Sequence, residues 1–158
     1  MQTGETMSAI VKAKDVAEHL DMLMEGLTFY LNKLTGEIVP VTEEELHELE
    51  WSDPDDLPKW LQDAAPQMKE ILESEDYVPL PTSFDVHEWA IMKQFADSQD
   101  EPHVGGLLLD AIHGPGAFRM FRATIERLAI LDEWVAFKNK ALEKIAVEWL
   151  EAEGIAYE

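Results

Sequence analysis

Apolar residues recur every three or four positions along most of this chain and alternate in only one stretch. In "VKAKDVAEHLDMLME", Val16, Leu20 and Leu23 fall at helical spacing with Ala13 and Ala17 between them. That predicts a helix over about 13–24, ended near Gly26. The period changes in "LTFYLNKLTGEIVPV", where Leu27, Phe29 and Leu31 alternate with Thr28, Tyr30 and Asn32. Thr35-Gly36 supplies a turn that accepts positive φ. Ile38 and Val41 continue a return strand, which Pro40 confines to a sheet edge. A β-hairpin is predicted there.

Thr42 followed by Glu45 has the spacing of a capping box and opens a short helix, "EEELHELE". "WSDPDDLP" reads as a loop, and "KWLQDAAPQMKEILESE" as helix with a break or kink at Pro66. "YVPLP" is extended, because a residue before proline is pushed out of the α region. Thr82 or Ser83 caps one helix through "FDVHEWAIMKQFADS", whose apolar face carries Val86, Ala90, Met92 and Phe95, extended by Trp89. "HVGGLLLDAIH" gives a shorter helix, weakened by Gly105 and Gly106. "GAFRMFRATIERL" aligns Phe118, Phe121, Ile125 and Leu128 in one inward stripe. The last helix runs about 22 residues, with Trp134, Ala141, Leu142, Ile145, Ala146 and Trp149 on a broad apolar face, and Gly154 stops it. There is no internal repeat.

These elements predict an α+β fold, predominantly helical, in which an N-terminal helix/β-hairpin/helix unit packs on a C-terminal helical cluster. Residues 13–158 form a single domain, divided into an α+β part (13–56) and a helical part (57–158). Residues 1–12 are expected to be disordered, with Met7 an alternative start.

At 158 residues the chain suits one domain. There is no cysteine, so disulfides, thiolate nucleophiles and cysteine-based zinc sites are excluded, in keeping with a cytoplasmic protein. No apolar run approaches the roughly 20 residues of a membrane helix, and the N-terminus lacks the pattern of a signal peptide. The net charge is −21. That field repels nucleic acid and anionic membranes and makes direct nucleic-acid binding unfavourable. The charge is uneven. Residues 1–114 carry 6 Lys and Arg against 25 Asp and Glu, a net of −19, whereas residues 115–144 carry 6 against 4, a net of +2.

Catalytic chemistry finds little support. There is no G-x-S-x-G, P-loop, dinucleotide or kinase motif, and the serines sit where capping explains them. Glu44 and His47 have the i, i+3 spacing of di-iron bundle ligands, but the second Glu-x-x-His that such a site needs is missing. No cofactor and no metal site are expected. The run Glu43, Glu44, Glu45 suits the positive end of a helix.

One segment has two readings. In "HGPGAFRMFR", Gly114 can take the left-handed position ending one helix, Pro115 prevents continuation and Gly116 lets the chain restart. Arg119 and Arg122 then stay outside, with Arg122 reaching Glu126 at i, i+4. Alternatively Gly114, Gly116, Arg119 and Arg122 form an anion site. Free backbone N–H groups and the dipole of a helix N-terminus would be joined by a planar guanidinium suited to phosphate or carboxylate. Lys138 or Arg127 could strengthen such a site. The arginines could equally hold the acidic N-terminal half in place.

The segments "YVPLPTSFDVHEWAIMKQFAD", "AIHGPGAFRMFR" and "EWVAFKNKALEKIAVEWLEAEGI" together resemble the bacterial uncharacterised protein family 0158. "FYLNKLTGEIVPV" is similar to that family's N-terminal hairpin, with Asn32 where Asp is usual. The resemblance spans roughly residues 13–156. The family's "GKGAF" becomes "GPGAF", with Pro115 in place of a common lysine, and Met120 stands beside Arg119. Both changes lower the local positive charge. The resemblance implies the fold and a bacterial cytosolic setting, and no activity. The function expected is that of an acidic, non-enzymatic protein acting through a protein partner. The alternative is a phosphate-ligand or nucleic-acid-associated protein, enzyme or not, that uses the Gly114–Arg122 segment.

Overall fold

The structure, a computed structural model, describes residues 9–51 and 54–158. Helix α1 (Ala13–Asp21) leads to strands β1 (Leu27–Asn32) and β2 (Ile38–Thr42). Helices α2 (Glu43–Trp51), α3 (Lys59–Gln62) and α4 (Ala65–Glu73) follow, then the short strand β3 (Tyr77–Pro79). The remainder is helical: α5 (Ser83–Val86), α6 (Glu88–Asp97), α7 (Pro102–Ile112), α8 (Ala117–Arg127) and α9 (Leu131–Ala152). The fold is α+β and mostly helical, as the periodicities predict.

The sheet is antiparallel, in the order β2-β1-β3. Both proline-bearing strands are therefore edges, where a missing N–H costs no ladder bond. The hairpin turn is built by Asn32, whose Oδ1 accepts from the N–H of Leu34 (2.8 Å) and of Thr35 (3.2 Å). Gly36 closes it at φ 81°. A carboxylate oxygen at position 32 would accept the same bonds. The extended "YVPLP" segment proves to be a third strand, with Val78 opposite Leu31.

Strand alternation gives the sheet two apolar faces. Phe29 and Leu31, with Ile38 and Val78, join the main core formed by α1 and α5–α9. Tyr30, Val39, Val41 and Tyr77 turn to a second core with Leu57, Leu61, Met68 and Ile71. The cores do not follow chain order: α1 packs along α9, while 57–73 packs against the hairpin. Aromatic edges interlock at the centre of the main core, where Phe121 and Trp134 stand 4.9 Å apart and Phe95 and Trp134 5.3 Å apart.

Several local expectations are corrected. The segment after Thr82 is two helices rather than one. His87 adopts a left-handed conformation (φ 53°) between α5 and α6, and Thr82, in a capping box with Asp85, starts the first. Pro66 lies in the first turn of α4, where its missing N–H is harmless, so the break precedes it at residues 63–64. Gly114 has no positive φ. Helix α7 ends at His113 (φ −94°), and the left-handed residue is Gly116 (φ 65°), at the start of α8. Phe118 does not join the inward stripe. It lies in the first turn of α8, where only Phe121, Thr124 and Ile125 of that helix are buried. Of the stretch expected to be disordered, residues 1–8, including Met7, lie outside the described residues. Residues 9–12 are held instead, with Val11 paired to Tyr157 and nearly inaccessible. Among the described residues, no helix is long and apolar enough to cross a membrane.

Candidate functional site

The Gly114–Arg122 segment joins α7 to α8 on the open surface. Gly116, in the left-handed region, offers no side chain to cap α8, so the first N–H groups of that helix have no capping acceptor. The Arg119 guanidinium folds back over this end, its Nη2 within 3.4 Å of where a Gly116 Cβ would stand. Among the described residues Arg119 has no ion pair or hydrogen bond. A cation at the positive end of a helix, without a partner, is the less favoured arrangement electrostatically. Arg122 pairs with Glu126 of its own helix at 3.2 Å, both side chains largely exposed, a contact of small energetic weight.

The arginines therefore do not clamp the acidic N-terminal half. That part falls to Lys138, whose Nζ donates to Asp21 Oδ1 on α1 and to Glu88 Oε1 on α6, each at 2.9 Å. Lys138 is thus engaged elsewhere and does not reinforce Arg119. Arg127 sits at the opposite end of α8, about 12 Å along the axis from Arg119 at about 1.5 Å per residue. Burial pushes the Lys138 pKa down, and hydrogen bonds and charge from Glu88 and Asp21 more than offset this, so the net direction is upward.

Beside this triad lies a cavity of about 160 Å³. Its walls are Leu20, Leu23, Val86 and Leu142; Asp21, Glu88, Lys138 and Ser83 supply its polar rim, and the exposed Phe118 stands at its edge. The next residue along α5, Phe84, is 84% exposed, the highest value among the large apolar side chains of the described residues, and Phe118 is 56% exposed. Phe118, Arg119 and Arg122 share the outer side of the first turns of α8. Phe118, Arg119 and Arg122 thus lie together at the start of α8 beside a half-open cavity, in the stretch 115–144 that carries net positive charge, and the exposed Phe84 follows Ser83 of the cavity rim in the acidic part of the chain.

Other candidates are poorer. Glu44 and His47 lie on α2, whose residues are all at least partly exposed, and the His47 ring faces Trp51 at 6.2 Å. Among the described residues, no three metal-ligating side chains converge. A shallow depression of about 600 Å³ is lined by Asp55, Gln62 and Lys69 together with Leu57, Ala65 and Pro66. Ser98 and Ser74 engage backbone rather than a base.

The sequence profile of the uncharacterised protein family UPF0158 matches residues 6–158. The chain belongs to that family. It is similar to a UPF0158 protein of Pseudomonas aeruginosa, at 27% identity over 92 residues, covering 54% of this chain and 58% of the relative. The match thus spans little more than half of that protein's length. No solved structure matches the chain.

Within this UPF0158 chain, the triad was the feature sequence reasoning missed. Its signal was present: Lys138 falls four residues after Trp134 and four before Leu142, in the apolar stripe of α9. A charge on a buried stripe demands a partner.

Proposed function

We propose that this UPF0158 protein is a non-enzymatic binding protein of the bacterial cytoplasm. It recognises a protein partner through Phe84, Phe118, Arg119 and Arg122. The observation that carries this reading is the exposure of Phe118 next to Arg119, an arginine without a partner among the described residues, with a second exposed ring, Phe84, adjoining Ser83 of the same cavity rim. Aromatic and arginine side chains dominate binding energy at protein interfaces, the ring as an anchor and the guanidinium as a planar fork for carboxylate. The net charge of −21 opposes contact with other acidic molecules, and within the chain the stretch 115–144, which holds Phe118, Arg119 and Arg122, is the part with net positive charge.

The test is affinity capture from bacterial extract with wild type and with Phe84→Ser/Phe118→Ser, followed by binding of the recovered protein in purified form. A partner bound by wild type and at least tenfold more weakly by the variant supports the reading. Equal recovery by both overturns it. The second reading, a small phosphate ligand at Gly116 and Arg119, is favoured by the folded-back guanidinium over a helix N-terminus. It predicts stabilisation by phosphate or nucleotide that Arg119→Ala removes.

A further inference from the structure

We propose that the cavity between α1, α5, α6, α8 and α9 binds a small primary ammonium compound with a short branched apolar tail. The proposal does not rest on the protein-docking reading, although the two sites share Phe118.

The polar rim has an incomplete balance of charge and hydrogen bonds. One ammonium, Lys138, sits between two carboxylates, so the triad carries a net charge of −1. Lys138 uses one oxygen of each: Oδ1 of Asp21 and Oε1 of Glu88. Among the described residues the second oxygen of each carboxylate accepts nothing, and the Ser83 hydroxyl is unengaged. An ammonium has three N–H donors. Asp21, Glu88 and Ser83 offer three acceptors at the cavity rim. A second ammonium there completes an alternating arrangement of two cations and two anions and brings the local charge to zero.

The rest of the cavity fits the tail of such a molecule. Leu20, Leu23, Val86 and Leu142 bury it, and the Phe118 ring can lie over the cationic head, an attractive contact for ammonium. A volume of about 160 Å³ corresponds to roughly five waters at about 30 Å³ each, enough for a ligand of five or six heavy atoms. Anions are disfavoured twice, by the triad and by the −21 charge of the whole molecule. A hard divalent cation finds two carboxylates and a lysine instead of the six to eight oxygens it prefers.

The experiment is isothermal titration at low ionic strength with three probes of one carbon skeleton: 3-methylbutylamine, 3-methylbutanol and 3-methylbutanoate. The amine is expected to bind saturably with one site per chain, and the alcohol and acid at least tenfold more weakly. Ser83→Phe plugs the rim without touching the triad and should abolish amine binding. Glu88→Gln, which neutralises the triad, should weaken it at least tenfold. Circular dichroism verifies that each variant is folded. Absence of saturable amine binding overturns the proposal. So does equal binding of amine and alcohol, or amine binding that survives in a folded Ser83→Phe variant.

Discussion

Lys138 Nζ and Glu88 Oε1 lie 2.9 Å apart and join helices that begin more than forty residues from each other. With Asp21 on α1, this contact ties three helices at the edge of the main core. The Lys138 side chain is 21% exposed and its partners are 47% and 42% exposed, so water screens the carboxylates in part. Lys138→Met removes two charge-assisted hydrogen bonds and should cost about 1–2 kcal/mol at neutral pH, read by urea denaturation.

The same contact sets a pH dependence. Burial lowers the Lys138 pKa, the hydrogen bonds and charges of Glu88 and Asp21 raise it by more, and the net direction is upward. A lysine whose folded pKa exceeds its unfolded value contributes full stability below the unfolded value, about 10.4, and loses it as pH rises through the folded value. The difference in unfolding free energy between wild type and Lys138→Met should stay constant from about pH 7 to 9.5 and shrink above about pH 10.4. A difference that narrows between neutral pH and pH 9 contradicts this.

Adjacent glycines in α7 should respond oppositely to alanine. A Cβ on Gly105 would stand 2.9 Å from the Ala96 carbonyl oxygen of α6, while one on Gly106 meets nothing within 4 Å. Gly105→Ala should destabilise by about 1–3 kcal/mol because the two helices must separate. Gly106→Ala should stabilise by about 0.5–1 kcal/mol through helix propensity. Thermal unfolding of the two variants tests both signs.

Ala129 ends α8 in the left-handed region (φ 57°), with the Ile130 N–H reaching the Ile125 carbonyl at 3.1 Å. Glycine relieves the Cβ clash of that conformation, so Ala129→Gly should stabilise by about 1 kcal/mol. A neutral or destabilising result would show that the strain is smaller than the added freedom of the unfolded glycine chain.

These features differ in how far the sequence foretells them. The hairpin is legible because a period of two and Thr35-Gly36 agree locally. The strand Tyr77–Pro79 reads only as extended, since three residues with a proline carry no pairing partner in their own pattern. The break at His87 is hidden because apolar spacing runs through it and histidine gives no turn signal. Phe118 fits a helical stripe by spacing, yet it stands at the end of α8, where no neighbour covers it. The Gly114–Arg122 corner is legible as helix punctuation, though the left-handed residue is Gly116. The Lys138 triad is half legible: the lysine betrays itself on an apolar stripe, but tertiary packing alone brings Asp21 and Glu88 to it.

The central claim is that Phe84 and Phe118 form a binding face instead of supporting the fold. Both are exposed, so Phe84→Ser/Phe118→Ser should leave stability within about 0.5 kcal/mol of wild type. The deciding measurement is the affinity of a captured, purified partner for wild type and for this double variant. A loss of at least tenfold with unchanged thermal stability is the predicted result. Equal affinities, or a variant that no longer folds, would contradict the account.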